Sequence, residues 1–512
     1  MEIQTGLDHF LESNIYKQKA KCVNPYSLLK MKNRFVLFLI VVLITSFQRL
    51  NAQQPNILFI LADDMSYPYS SVYGDQVVKT PHLERLAQLG VTFTNAYAAN
   101  PSCTPSRAAI LTGRYPHKLG EAVNLVGRLD ASFPTYVQVL RKEGYEVAYD
   151  RKGWAPGDFT QMGYKENPAG KQVEFQNMLS QLPKEKPFFF WFGTNDPHRT
   201  FPFGRGRTSG IDLNKIKVPA FLPDVPEVRG DLADYFYLIK RLDDEVGDLL
   251  KVLEQAGRLE NTIIVMTSDN GMPFPHAKTN LYDYGTRVPL IISSFSKKII
   301  QNKRNDSFVN LIDLTPTFLD LAGVKNKPVM DGISLMPVLT GQTSAHRTEV
   351  FLERERHCMS RNEMDRGAGY PMRAIRTSNF LYIVNLRHYR MPGGDESMPG
   401  TTSEFGDVDG GPTKAFILDN RNDPVVKPFF ELGFAKRPSE ELYDLRKDPF
   451  NINNVANRAE YASAKKELTG KLLQWMQNEK DPRLNGGGDE IDRYKPTTWA
   501  WITKWSIEFV KE

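Results

Sequence analysis

Pro55-Asn-Ile-Leu-Phe-Ile-Leu-Ala62 runs directly into Asp63-Asp64. An unbroken apolar run of strand length leaves no side for water, so it reads as a parallel strand buried on both faces. The pattern returns in Val91–Tyr97, Gly144–Tyr149, Pro187-Phe-Phe-Phe-Trp-Phe-Gly193, Asn261-Thr-Ile-Ile-Val-Met-Thr-Ser268 and Gly285–Ile292. Helical patterns separate these runs: Thr80 to Gly90, Phe133 to Lys142 and Asp231 to Ala256, with Gly90 and Gly257 as stops. Strands alternating with helices predict an α/β domain, its mostly parallel sheet covered by helices on both sides. Ligands of such sheets bind beyond the carboxyl ends of the strands.

Polar residues sit at those ends. Asp63-Asp64 closes the first run and Asp269-Asn270-Gly271 closes the fifth. Carboxylates packed together at a buried strand end repel unless a cation separates them. Oxygen donors that include a neutral carbonyl suit calcium better than zinc. In isolation, Asp-Asp also fits a helix cap, and Asn-Gly a type I′ turn.

The second informative stretch is Pro101-Ser-Cys-Thr-Pro-Ser-Arg-Ala-Ala-Ile-Leu-Thr-Gly-Arg114. Pro105 suits the first turn of a helix, Ser102 or Thr104 its cap, and Gly113 its end. Cys103 therefore falls at a helix N-terminus, where backbone N–H groups and the helix dipole favour anions. Arg107, one turn on, adds a planar fork of donors for a tetrahedral oxyanion. The plainer alternative is a buried structural cysteine.

C-x-P-S-R followed by L-T-G-R resembles the signature of the type I sulfatases, and N-I-L-F-I-L-A-D-D and S-D-N-G resemble their metal-binding segments. The resemblance covers nearly the whole chain after residue 52. It implies an alkaline-phosphatase-like fold with a smaller C-terminal α+β subdomain, and hydrolysis of sulfate esters. It further implies oxidation of Cys103 to formylglycine by a formylglycine-generating or anaerobic sulfatase-maturating enzyme. The hydrated aldehyde is then the nucleophile. The resemblance also implies calcium held by Asp63, Asp64, the modified Cys103, Asp269 and Asn270, a sulfate held by Arg107, Lys152 and Lys278, and a leaving group protonated by His198.

Within that family, D-P-H-R (Asp196–Arg199) and P-F-P-H-A-K-T-N-L-Y (Pro273–Tyr282) are similar to the heparan N-sulfatase branch. They direct the substrate reading to sulfated carbohydrate, either N-sulfoglucosamine or an O-sulfated algal polysaccharide such as ulvan. The family's G-K-x-H segment departs here: Lys152 is present, but Trp154 stands where histidine is usual, and its indole is expected to wall the substrate pocket. Arg199 is a candidate for a substrate carboxylate or second sulfate. His117 is either at the site or on a loop, and His276 has no assigned role. Phosphate or phosphonate ester hydrolysis on the same fold, and sulfated-glycan binding without catalysis, are the competing functions.

The chain has 512 residues, 41% of them hydrophobic, and a net charge of +5. The charges are dispersed, with no basic block that would indicate nucleic acid. Met31-Lys-Asn-Arg34, the apolar run Phe35–Phe47 and Ala52 read as a signal peptide over residues 31–52. The run is short of the ~20 residues of a membrane span, so the mature protein is expected without one, in the periplasm or secreted. An uncleaved anchor is the alternative. Residues 1–30 read as an extension ahead of a start at Met31. Residues 53–345 are expected to form the catalytic domain and 346–512 the C-terminal subdomain, with a loop over 391–413 and a helix over 461–477. Trp499, Trp501 and Trp505 are expected to pack onto the fold. Two cysteines after residue 52 do not make a disulfide scaffold.

Overall fold

The computed structural model describes residues 54–362, 367–397, 404–484 and 487–495. The signal-peptide reading and the three tail tryptophans lie outside them. The first half of the chain forms β1 (Asn56–Ala62), α1 (Pro81–Gln88), β2 (Gly90–Tyr97), α2 (Cys103–Thr112), α3 (Tyr136–Lys142), β3 (Glu146–Arg151), β4 (Lys171–Gln172), α4 (Phe175–Gln181), β5 (Phe188–Gly193) and α5 (Pro226–Gln255). Then follow β6 (Thr262–Ser268), β7 (Arg287–Ser294), β8 (Lys303–Asn310), α6 (Leu314–Leu321), β9 (Glu349–Arg354), β10 (Met372–Thr377), β11 (Phe380–Asn385), α7 (Pro412–Asp419), β12 (Glu440–Asp444) and α8 (Ala462–Asn478).

Eight strands make one sheet in the order β4-β3-β5-β1-β6-β7-β2-β8. Only β7 runs against its neighbours. The apolar run that opens the reading is the central strand β1, paired in parallel with β5 and β6. Its alternate side chains enter different cores. Leu58 and Ile60 pack with Phe188, Phe190 and the long helix α5, while Ile57, Phe59 and Leu61 pack with Phe189, Trp191 and α6. Each such side chain contributes roughly 1.5–3 kcal/mol by leaving water. That is why a two-sided strand is apolar without alternation.

The second sheet, β12-β11-β10-β9, is antiparallel and rests on α8 through Leu472, Trp475 and Met476. Two local readings are corrected. The apolar pattern from Phe308 to Gly323, which reads as one helix in the sequence, is divided: Phe308–Asn310 finish β8, Asn310 caps the following turn, and the helix α6 starts at Leu314. Gly90 opens β2 rather than ending α1, whose C-cap is Leu89.

Candidate active site

The register of the large sheet decides what meets what. Ala62 of β1 pairs with Ser268 of β6, so Asp63-Asp64 and Asp269-Asn270 leave the sheet side by side. The Asp269 amide donates to the Ala62 carbonyl at 3.1 Å and the Asp64 amide to Asp269 Oδ1 at 3.2 Å. Asp64 has φ 73°, a left-handed conformation that aspartate tolerates better than most residues. Tyr235 of α5 holds it by donating its hydroxyl to the Asp64 carbonyl at 3.0 Å.

Cys103 begins α2, whose C-cap is Gly113 at φ 67°. Its Sγ lies 3.5 Å from Asp63 Oδ1. Ser102 holds the N-cap position, but its hydroxyl hydrogen-bonds His357 Nδ1 at 2.8 Å instead of capping the helix. Burial pushes the Cys103 thiol well above the ordinary range, with Lys152 only partly opposing it. The unmodified side chain is therefore a protonated thiol and a poor nucleophile.

Arg107 is fully buried. Its Nε donates to Asp269 Oδ2 at 2.8 Å, and Nη1 to the carbonyls of Lys152 and Gly153 at 2.9 Å each. Nη2 stands 3.6 Å from Asp63 Oδ1 and makes no hydrogen bond. Lys152 follows β3 and places Nζ 2.6 Å from Asp63 Oδ2. Its amide donates to the Gly193 carbonyl at the end of β5, 2.9 Å away. Any Cβ on residue 193 would stand 1.8 Å from the Lys152 carbonyl oxygen, so glycine is required there. Lys278 Nζ donates to Asp64 Oδ2 at 2.8 Å, and the next amide, Thr279, to the Pro101 carbonyl beside Cys103 at 3.1 Å.

His198, beyond β5, brings Nε2 to 3.8 Å from Asp64 Oδ2. Its Nδ1 is hydrogen-bonded to the Arg199 carbonyl. A carbonyl only accepts, so Nδ1 carries a proton and Nε2 is the atom that exchanges one.

Asp63, Asp64, Cys103, Arg107, Lys152, His198, Asp269, Asn270 and Lys278 thus lie together at the carboxyl edge of the sheet. Ligand atoms of Asp63, Asp64, Cys103 and Asp269 lie within 4.8 Å of one another. Asn270 donates Nδ2 to Asp64 Oδ1 at 2.6 Å, while its buried Oδ1 accepts nothing. A buried acceptor without a donor, on a side chain whose Nδ2 touches Asp64, fits a hard cation. Burial raises the Asp63 carboxyl, but Lys152, His198 and Arg107 outweigh it and hold the group well below the usual range.

Three expectations are revised, and His276, which had no assigned role, proves to be enclosed. Trp154 is 1% exposed and donates its indole N–H to the Thr104 carbonyl at 3.2 Å, so it supports α2 from inside and does not wall the pocket. Arg199 is committed to Asp231 by two hydrogen bonds of 2.8 Å and lies between Phe201 and Phe274. It has no capacity for a substrate anion. His117 is buried against Glu353 of β9, 2.8 Å from its carboxylate, and is occupied by that pair. His276 is enclosed by the carbonyls of Leu432 and Asn451.

The sequence reading missed His357 and Asp409, which the C-terminal part brings to the site. Neither lies in a patterned segment, so no local signal pointed to them.

The sulfatase family profile matches residues 55–324, more than half of the chain. This chain belongs to the sulfatase family. It is a sulfuric ester hydrolase. A second profile, the C-terminal region of N-sulphoglucosamine sulphohydrolase, matches residues 275–383. Human N-sulphoglucosamine sulphohydrolase is 29% identical over 487 residues, spanning 84% of this sulfatase and 91% of the human protein. An ulvan-active sulfatase of Formosa agariphila is 27% identical over 477 residues, covering 83% of this sulfatase and 75% of that one. Among solved structures, one in complex with D-glucosamine-2-N,6-O-disulfate superposes with a TM-score of 0.59 at 21% identity. It covers 84% of this sulfatase and 99% of that chain and supports the fold.

Proposed function

We propose that this sulfatase removes sulfate from sulfated carbohydrate, using calcium and a formylglycine made from Cys103. The observation that carries the reading is the gathering of Asp63, Asp64, Asp269 and the Cys103 thiol within 4.8 Å, next to Asn270, whose Nδ2 touches Asp64 and whose buried Oδ1 has no donor. These residues would hold the ion, which when bound neutralises charge on the sulfate as a Lewis acid. As a hydrated aldehyde, residue 103 supplies one hydroxyl to attack sulfur and a second whose deprotonation expels sulfate.

The chain's own groups do the rest. Arg107 Nη2, Lys152 Nζ and Lys278 Nζ surround the position a sulfate would take and hold its oxygens, and charge developing there meets fixed donors. His198 Nε2 hands a proton to the departing sugar oxygen or nitrogen. The helix N-terminus at Cys103 adds backbone N–H groups.

N-sulfoglucosamine and O-sulfated algal polysaccharide are the substrate readings, supported by the printed functions of the human and Formosa relatives. The maturation partner is a formylglycine-generating or anaerobic sulfatase-maturating enzyme. The location is periplasmic or secreted, a reading that rests on the signal-peptide pattern of residues 31–52.

The test compares wild type with Cys103→Ala on defined sulfated oligosaccharides and matched phosphate esters. Sulfate release should vanish in the variant with melting unchanged, and mass spectrometry of the native peptide should show thiol converted to aldehyde. Turnover retained by the alanine variant sinks the mechanism. Preference for phosphate sinks the substrate class.

A further inference from the structure

Lys278 touches two carboxylates, and the reaction described above employs only one. Opposite Asp64, Asp409 brings Oδ2 to 3.1 Å from Lys278 Nζ. The Asp409 side chain is 21% exposed, whereas those of Asp63 and Asp64 are at most 2%. It is the most exposed carboxylate of the three, although its Oδ2 is buried on the Lys278 side.

Its position is built. Two residues earlier, the fully enclosed Asp407 accepts from Arg354 at 2.7 Å, from Ser360 at 2.7 Å and from the Cys358 amide at 2.8 Å. Arg361 pairs with it at 2.9 Å. Lys414 of α7 donates to the Val408 carbonyl at 2.8 Å, and Thr279, next to Lys278, donates to the Asp407 carbonyl at 3.2 Å. These contacts fix residues 407–409 against the β9 loop and the Lys278 segment.

An anionic side chain at the rim of a sulfate site repels the very group the site binds, so a second contact must offset the repulsion. Buried Lys278, His198 and His357 also keep Asp409 ionised against its burial. A fixed carboxylate is an acceptor with no proton to give. Sugar hydroxyls and amines are donors.

We infer that Asp409 is a specificity-determining residue: it accepts hydrogen bonds from the hydroxyl or amine groups of the sugar that carries the scissile sulfate, and repels sugars with a second sulfate at that place. The inference rests on the carbohydrate sulfatase reading. It requires that Asp409 act on the sugar itself, and not solely through Lys278.

Two measurements test it. In the matured enzyme, kcat/KM is taken on N-sulfoglucosamine, on a sulfated ulvan oligosaccharide and on 4-nitrophenyl sulfate, which has no sugar hydroxyl. In a Cys103→Ala background, calorimetry measures binding of the same two carbohydrates, independent of turnover. Asp409→Ala should lower kcat/KM on the preferred sugar on the order of 10- to 100-fold more than on the aryl sulfate, the value of a charge-assisted hydrogen bond. It should weaken sugar binding by a similar factor. Asp409→Asn keeps shape and one acceptor oxygen and should lose less. Equal losses on aryl and sugar sulfates, or none on either, overturn the inference. Normal sugar binding that depends on Asp409, without hydrolysis, overturns the catalytic reading alone. A sulfatase that binds neither carbohydrate overturns both.

Discussion

Asn270→Ala separates a metal site from an acid cluster held together by lysines. In the structure Asn270 makes one side-chain contact with the cluster, Nδ2 to Asp64 Oδ1 at 2.6 Å, and leaves Oδ1 unpartnered. Without calcium, truncation removes a hydrogen bond to an ionised group, about 1.5–3 kcal/mol. It also removes a buried acceptor that nothing satisfies, which returns part of that cost. The expected loss in chelator is therefore at the low end, about 1–2 kcal/mol. With calcium the account changes, because on the proposed reading Oδ1 is a ligand. Loss of outer contacts alone weakens metal sites about 10- to 100-fold, so loss of a ligand should cost at least that, or about 1.4–2.7 kcal/mol. The assay is calorimetric titration of calcium into chelator-stripped protein, paired with chemical denaturation at several calcium concentrations. Stability gained from the ion follows RT ln(1 + [Ca]/Kd), so the variant's curve should shift to higher calcium by the same factor. An unchanged calcium Kd, with the stability loss equal in chelator and in calcium, would falsify the placement of Asn270 in a metal shell.

Arg107→Lys should lower kcat/KM about 10²- to 10³-fold on any sulfate ester. A lysine keeps the charge but cannot reach Asp269, two carbonyls and a sulfate oxygen together, and near-normal turnover would refute that division of roles. Gly193→Ala should destabilise the fold and also raise KM, because the added methyl group drives the Lys152 carbonyl, and with it Nζ, away from Asp63; crystallography or melting that finds no displacement counts against it. His117 gives a pH prediction. Burial disfavours its charge, but Glu353 outweighs burial and raises its pKa. A raised folded-state value stabilises fully below the unfolded histidine pKa of about 6.5 and is lost as pH rises through the folded value. Wild type should therefore exceed His117→Gln in stability most below about pH 6.5, with the gap closing at alkaline pH; a gap that widens with pH contradicts the ion pair.

The two-sided strands were legible because burial on both faces forces a composition visible in the residues themselves, as in Ile57–Ala62 and Phe188–Phe192. β8 escaped that reading. At the sheet edge its first residues, Lys303, Arg304 and Asp306, face water, and only Phe308 and Val309 carry an apolar signal, which merged with the helix that follows. Trp154 was misread for a related reason. Sequence places it near Lys152, but whether an indole faces a pocket or a helix end depends on packing that no neighbouring residue reports. Arg199 likewise looked available because Asp231, its partner, lies 32 residues away.

By itself, the sequence determined six of the eight strands of the large sheet, the helix that presents Cys103, and the short segments that end in Asp63-Asp64, Lys152, His198 and Asp269-Asn270. Each depends on local pattern: apolar runs, a proline and glycine at helix ends, acids directly after a strand. Tertiary structure decided which of these groups meet, through the pairing of Ala62 with Ser268. It also decided which cations were already spent, as Arg199 is on Asp231. And it brought Asp409 and His357 to the rim from more than 250 residues beyond Cys103, as the Ser102–His357 and Lys278–Asp409 contacts record. Contacts of that range leave no trace in local composition, because either partner alone is an ordinary polar residue in a loop.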